Sequence, residues 1–213
     1  MCGRVTITVS KKELENYYHA KMDDPFQPTY NGAPSQYFPI LKNTEPQKIT
    51  LAKWGFLPHW LAKTRPQGFI NSKSETIFVR PMFKKAILTR RCLVPADGFF
   101  EWDRKTRKPY YIKIKDQKIF SFAGIWEEFP DSTKKGILTY SILTTAASAN
   151  LNNIHDRMPV ILKRKNESLY LQAKNEQELK NILKPVDAFE LYEISNAINK
   201  PANNYPEILN PIK

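Results

Sequence analysis

Cysteine and histidine are scarce in this 213-residue chain, with two of the first and three of the second. Cys2 and Cys92 are too few for a disulfide framework and stand in no metal-binding spacing. With the histidines scattered at 19, 59 and 155, a Cys/His zinc site is disfavoured, and no cofactor is expected. No apolar run approaches the ~20 residues that a membrane span needs. No signal-peptide pattern opens the chain either, so the expectation is a reducing, cytoplasmic compartment with no membrane partner. Repeats, Gly/Ser linkers and low-complexity tracts are missing, which leaves a single domain over residues 1–213, expected to be a monomer. Negative charge is in short supply too: 21 Asp and Glu stand against 33 Lys and Arg, a net charge of +12. Such an excess favours polyanions, nucleic acid before an anionic membrane surface. The plain alternative is a lysine-rich surface that reflects only a lysine-rich proteome.

What is present describes a globular protein. Hydrophobic residues make up 41% of the chain and aromatics 12%, so a substantial core can form. Val5–Val9 alternates apolar and polar residues and predicts a half-buried strand. Ser10 and Glu13 have the spacing of a capping box ahead of a helix carrying Leu14, Tyr17 and Tyr18. Lys21–Gln36 reads as an ordered loop, and Tyr37–Leu41 and Ile49–Trp54 as strands. A helix is expected from near Pro81, with Phe83, Ile87 and Leu88 inward and Lys84 and Lys85 outward. Cys92–Pro95 reads as a buried strand with Cys92 a core thiol, and Trp54 and Trp126 read as core. Tyr110–Lys115 and Lys118–Phe122 read as a hairpin across Asp116-Gln117. Later strands are expected at Ile137–Thr145, Val160–Leu162 and Glu190–Ile194, with surface helices at Glu167–Ala173 and Glu176–Leu183. The sum is an α+β fold: a mostly antiparallel, curled β-sheet core, sandwich- or barrel-like, with flanking short helices.

The start, Met1-Cys2-Gly3-Arg4, carries the sharpest chemistry. Cysteine is small, so an aminopeptidase that trims methionine ahead of small residues exposes Cys2 as the mature terminus. That places an α-amine (pKa ~7.7–8.0) beside a thiol (pKa ~8.5), the thiol expected to be exposed. A 1,2-aminothiol condenses with an aldehyde through nitrogen and closes through sulfur to a thiazolidine. The same terminus can instead attack an amide carbonyl, as N-terminal nucleophile hydrolases do. Glu101, between Phe100 and Trp102, is a carboxylate among aromatics whose pKa should rise toward acid–base use, unless it is the outward member of an edge strand. His155, in a loop before a strand, is either a proton carrier or an ordinary loop histidine. Asn71 is a possible side-chain donor, though loop asparagines are mostly turn residues.

Five stretches together resemble one family. MCGR at the start, NSKSET at 71–76, RCLVPADGFFEW at 91–102, FAGIWEEF at 122–129 and IHDRMPVIL at 154–162 are similar to the SOS-response-associated peptidase (SRAP) domain family. The resemblance implies a compact β-rich domain that senses and shields abasic sites in single-stranded DNA by crosslinking itself through its N-terminal cysteine. It implies Cys2 as nucleophile, with Asn71, Glu101 and His155 as the polar groups around the lesion, and a chain bound to the nucleoid when on DNA. By the same carry-over Arg4, Arg80 and Arg157 touch phosphates, and Pro34 and Trp60-Leu61 lie against flanking bases. Lys73 stands where the family usually has arginine, which keeps the charge and loses the bidentate fork. Three rivals stay open: a glutamine amidotransferase-type hydrolase using Asn31-Gly32 as an oxyanion hole, a true cysteine peptidase, and a non-catalytic nucleic-acid-binding module.

Overall fold

The computed structural model describes residues 2–61, 64–129 and 136–212. In its first half lie β1 (Val5–Ile7), α1 (Lys11–Tyr18), β2 (Lys21–Met22), β3 (Thr29–Gly32), β4 (Tyr37–Lys42), β5 (Lys48–Trp54), β6 (Asn71–Lys73), α2 (Pro81–Thr89), β7 (Arg91–Ala96) and β8 (Gly98–Trp102). There follow β9 (Pro109–Ile114), β10 (Phe120–Phe129), β11 (Ile137–Ala146), α3 (Ala149–Asn152), β12 (Arg157–Pro159), β13 (Ile161–Leu162), α4 (Arg164–Gln172), α5 (Glu176–Ile182) and β14 (Phe189–Glu193).

One sheet closes on itself. Its strands run β11-β10-β7-β4-β5, and β5 then returns to β11 through a parallel pairing of Lys53 with Thr139 and Trp54 with Tyr140. Closure removes the open edges that a flat sheet would leave. At the seam the Trp54 and Tyr140 rings stack, 6.3 Å between centroids and 11° between planes. Short strands β2, β6, β12 and β13 extend this barrel. The second sheet is β14-β9-β8-β1-β3, wholly antiparallel. Parallel pairs occur only where β5 and β6 meet β11 and where β2 meets β5, among the described residues. The expected α+β fold with a mostly antiparallel, curled core is what the chain adopts. One core runs through both sheets, from Val5, Ile7, Phe99 and Ile112 to Trp54, Phe122 and Ile142.

Local signals explain many elements. The capping box is formed: the Ser10 side chain accepts from the Glu13 N–H at 3.3 Å, and the Ser10 N–H donates back to Glu13 Oε2 at 2.8 Å. Pro81 opens α2, which buries Phe83, Ala86 and Ile87. Leu88 is 38% exposed, against expectation, because it falls outside the stripe those three residues define. Cys92, Trp54 and Trp126 are core. Arg91 is buried without a carboxylate partner among the described residues. Its guanidinium donates to the carbonyls of Ile87, Leu88, Tyr170, Leu171 and Ala173 at 2.6–3.0 Å, satisfying the C-terminal turns of α2 and α4.

Three further expectations fail in whole or in part. The segment expected as a loop over 21–36 carries β2 and β3, because neighbouring strands supply partners that its prolines only delimit. The turn at Asp116-Gln117 exists, with Asp116 at φ +59°, but β9 and β10 do not form a hairpin across it. β9 pairs with β8 and β14, and β10 with β7, β11 and β13, so the turn passes the chain from one sheet to the other. Of the expected strand at Val160–Leu162 only Ile161–Leu162 (β13) forms, because Val160 donates its N–H to the Leu143 carbonyl and accepts from the Ala123 N–H, breaking the run between β12 and β13.

The Trp60 loop has a defined neck. Phe56 and Phe69 exchange both backbone hydrogen bonds, at 3.0 and 2.9 Å. Gly55 and Gly68 flank them at φ +144° and +66°, where a Cβ would come within 2.3 Å of the Gln67 and Gly55 carbonyl oxygens. Glycine is required at both positions.

Candidate functional site

Strand register brings the start of the chain to Glu101. Val5 stands opposite Phe99 and Thr6 opposite Gly98, and the Phe100 N–H continues the ladder to the Arg4 carbonyl at 3.1 Å. Running that antiparallel pairing outward carries Gly3 and Cys2 along the end of β8. Glu101 is 3% exposed and β8 lies between β1 and β9, so the edge-strand alternative for this carboxylate fails. Burial pushes its pKa up to about 7, with the Arg104 guanidinium pulling the other way. Near neutral pH it is therefore divided between acid and base.

Cys2 is fully buried, and the expectation of an exposed thiol fails. Its sulfur lies 3.9 Å from the Arg4 carbonyl. Burial first, and the negative charge of Glu101 second, push the thiol well above its ordinary pKa. Sulfur here is a resting thiol, not a thiolate. Asn71, on β6 where Asn71 pairs with Ile142 of β11, donates its amide to the Cys2 carbonyl at 2.8 Å. A carbonyl only accepts, so this contact fixes which end of the amide is which. Asn71 Oδ1 is buried and has no hydrogen-bond partner among the described residues, leaving an acceptor in the site.

His155 enters from the loop ahead of β12. Burial first, and the charges of Arg104 and Arg157 after it, pull its pKa down to about 4, so the ring is neutral at pH 7. The Arg157 N–H donates to Nδ1 at 3.0 Å, which puts the ring proton on Nε2. Asp156 Oδ1 also lies 3.0 Å from Nδ1, an ion pair only if the ring is charged. The backbone donation and the depressed basicity argue for the neutral ring, and the Asp156 charge is answered by Arg104, which pairs with it directly. Arg104 thus links the two halves of the site: it pairs beside His155, and its charge acts on both His155 and Glu101.

Arg157 is committed to protein acceptors. Its two terminal nitrogens form a fork on Glu75 at 2.6 and 2.9 Å, and Nη2 also reaches the Thr144 carbonyl at 2.7 Å. Burial would raise the Glu75 carboxyl, but the Arg157 pair outweighs it and holds it below its usual range. Arg4 donates to Asn31 Oδ1 at 3.1 Å and to the Asn199 carbonyl at 3.5 Å. Asn31 Nδ2 in turn serves the carbonyls of Ile198, Lys200 and Asn203 at 2.9–3.2 Å. Its amide is saturated as a structural tie.

Lys73 and Arg80 are exposed, and no ion pair among the described residues takes either. Trp60 is 60% exposed at the tip of its loop, and Pro34 is half-buried in the turn after β3. No hydrogen bond or ion pair among the described residues joins these four to Cys2. Glu75, Arg104 and Asp156 were missed by sequence reading. Glu75 lies inside the NSKSET stretch, but nothing local marks it as the partner of Arg157, and the pairing of Arg104 with Asp156 is purely tertiary.

A family description, SOS response associated peptidase (SRAP), matches residues 1–201. The chain belongs to the SRAP family. Among relatives of this SRAP protein, the Bacillus subtilis abasic site processing protein YoqW is 36% identical, covering 98% of this chain and 99% of its own. The Xenopus tropicalis abasic site processing protein HMCES is 28% identical over 98% of this chain and 78% of its own. A crystal structure of a Bacteroides thetaiotaomicron protein superposes with a TM-score of 0.90 at 28% identity, covering both chains completely. No group of His, Cys, Asp and Glu among the described residues could hold a metal ion. No helix among them is long and apolar enough to cross a membrane.

Proposed function

We propose that this SRAP protein processes abasic sites in single-stranded DNA by forming a thiazolidine crosslink through Cys2, once Met1 has been removed. The observation that carries the reading is the burial of Cys2 beside Glu101, a carboxyl with a pKa of about 7, with Asn71 fixing the Cys2 carbonyl. The names of the relatives and the +12 charge support DNA as the substrate. The protein acts as a monomer, one domain over 1–213, in the cytoplasm where the DNA is, and it needs no cofactor.

The chemistry follows from the groups present. An abasic sugar is mostly a closed hemiacetal, so a proton must leave the C1′ hydroxyl and another reach the ring oxygen before an aldehyde appears. Glu101 serves for both transfers, because at neutral pH it is present in both forms. The neutral His155 ring is a poor acid, so its part is to orient the sugar through the Nε2 proton. The α-amine adds to the aldehyde, and loss of one water gives the imine. Sulfur then bonds to the imine carbon while its proton passes through Glu101 to nitrogen. A thiol held protonated by burial reacts only when this base stands beside it, so amine attack precedes ring closure. Glu101 can return a proton to the thiazolidine sulfur and reverse the step.

Against the amidotransferase alternative, the Asn31 amide that would serve as oxyanion donor is already spent on three backbone carbonyls. The test is a chain with Met1 retained by an uncleaved N-terminal tag. It should bind abasic single-stranded DNA nearly as well as the mature protein and form no heat-stable adduct. A heat-stable adduct from the tagged chain would overturn the reading.

A further inference from the structure

The β8–β9 turn, residues 103–108, lies directly beyond Glu101 and carries Arg104, Lys105, Arg107 and Lys108. It is built rigidly. Asp103 Oδ1 accepts from the Lys105 and Thr106 N–H groups at 2.9 and 2.7 Å and from the Thr106 hydroxyl at 3.0 Å. The backbone closes with Arg107 N–H to the Asp103 carbonyl and Asp103 N–H to the Lys108 carbonyl, both 2.9 Å. The turn is docked on the His155 loop through the Arg104 N–H to the Ile154 carbonyl at 3.2 Å and the Arg104–Asp156 pair. Lys108 pairs with Glu193. No ion pair among the described residues takes Lys105 or Arg107, and both are exposed.

Arg107 sits at φ +62°, a conformation that favours glycine. From the free charges, the rigid turn and its docking beside the site, we infer that the 103–108 turn is a second phosphate-binding surface. Its ligand is the sugar-phosphate backbone on one flank of the lesion, on the His155 side, outside the reacting pocket. This rests on the DNA reading above and extends it to how the strand is held. Lys105 and Arg107 are positioned to grip phosphates while taking no part in the chemistry.

The test is a Lys105→Ala, Arg107→Gly variant, in which glycine suits the backbone at 107. Its affinity is measured against salt on two single-stranded oligonucleotides, one with the abasic site near its 5′ end and one near its 3′ end. The expected result is a loss on the order of tenfold at low salt for one oligonucleotide only, with the salt slope flattened by about 1.4. Adduct formation at saturating DNA should keep its wild-type rate. Unchanged affinity and slope in a variant whose wild-type parent binds DNA would overturn the turn's role alone. So would an equal loss on both oligonucleotides, which would mark a diffuse charge effect. Failure of the wild type to bind abasic DNA would overturn both this inference and the reading beneath it.

Discussion

Two buried carboxylates, Glu101 and Glu167, are each 3% exposed, and burial raises the pKa of both. Their company differs. Glu167 on α4 takes the Ser121 hydroxyl at 2.7 Å, the Tyr17 hydroxyl at 3.3 Å and the Arg164 guanidinium, which itself lies over the Tyr17 ring. Those donors come from α1, β10 and α4, so the cluster joins two helices to the barrel. Glu101 instead faces the Cys2 thiol, whose pKa its charge raises, with Arg104 acting from the half-exposed rim. Burial makes a carboxyl available for proton transfer only where its neighbours are reacting groups. Surrounded by committed donors, the same residue is a fastener.

The largest effect that sharpens this contrast is kinetic. Glu101→Gln should slow adduct formation on abasic single-stranded DNA by ~10²–10⁴-fold with little change in DNA affinity. Glu167→Gln should leave the rate within about twofold, because nothing reacting touches it. A time course of adduct yield separates the two, and wild-type kinetics for Glu101→Gln would erase the distinction.

The second effect is on stability and depends on pH. The folded pKa of Glu101 is raised to about 7, so the folded state binds its proton more tightly than the unfolded chain does. Its contribution to stability is full below the unfolded value and is lost as pH rises through about 7. Glu101→Gln should therefore match wild type near pH 4 and exceed it by about 3 kcal/mol at pH 8. Urea unfolding at the two pH values measures this, and equal differences at both would show that the carboxyl is not desolvated. Smaller again is Glu167→Ala, which removes the acceptor shared by Ser121, Tyr17 and Arg164, while Ser121 keeps the Tyr18 hydroxyl at 2.7 Å and Arg164 turns to solvent. A loss of about 2 kcal/mol, or a Tm lower by about 4–8 °C, is expected with the crosslinking rate unchanged at permissive temperature.

The smallest effect concerns a third carboxylate. Glu75 occupies the fork of Arg157 much as a phosphate would. Glu75→Gln should tighten binding to single-stranded DNA severalfold, since a phosphate then competes with a neutral amide for Arg157. Weaker binding, read by anisotropy across a salt series, would mean that Glu75 holds Arg157 in position for DNA instead of competing with it.

The sequence made some of this legible and hid the rest for physical reasons. The Ser10–Glu13 box and Pro81 at the first turn of α2 are local, and they read correctly. The Asp116-Gln117 turn was visible too, yet its flanking strands found partners in separate sheets, because pairing is decided by the whole core and not by the turn. Closure of β5 onto β11 leaves no mark in either segment. At the site, Cys2, Asn71, Glu101 and His155 stand out by residue type and by resemblance to the family. The depth at which Cys2 is buried, the Nε2 tautomer of His155 and the commitment of Arg157 to Glu75 are tertiary facts. Arg104 is the clearest omission: in sequence it is one cation in a basic turn, and in the fold it pairs with Asp156 and its charge acts on both Glu101 and His155.

The most direct test of the central claim is the intact mass of the mature protein after incubation with abasic single-stranded DNA, run beside Cys2→Ala, each with and without borohydride. The account predicts a wild-type adduct equal to protein plus DNA minus one water, stable to heat without reductant. It predicts a Cys2→Ala adduct that survives only when borohydride has trapped it as the reduced amine. A Cys2→Ala adduct of the same mass and heat stability without borohydride would contradict the thiazolidine, and with it the role assigned to the buried sulfur beside Glu101.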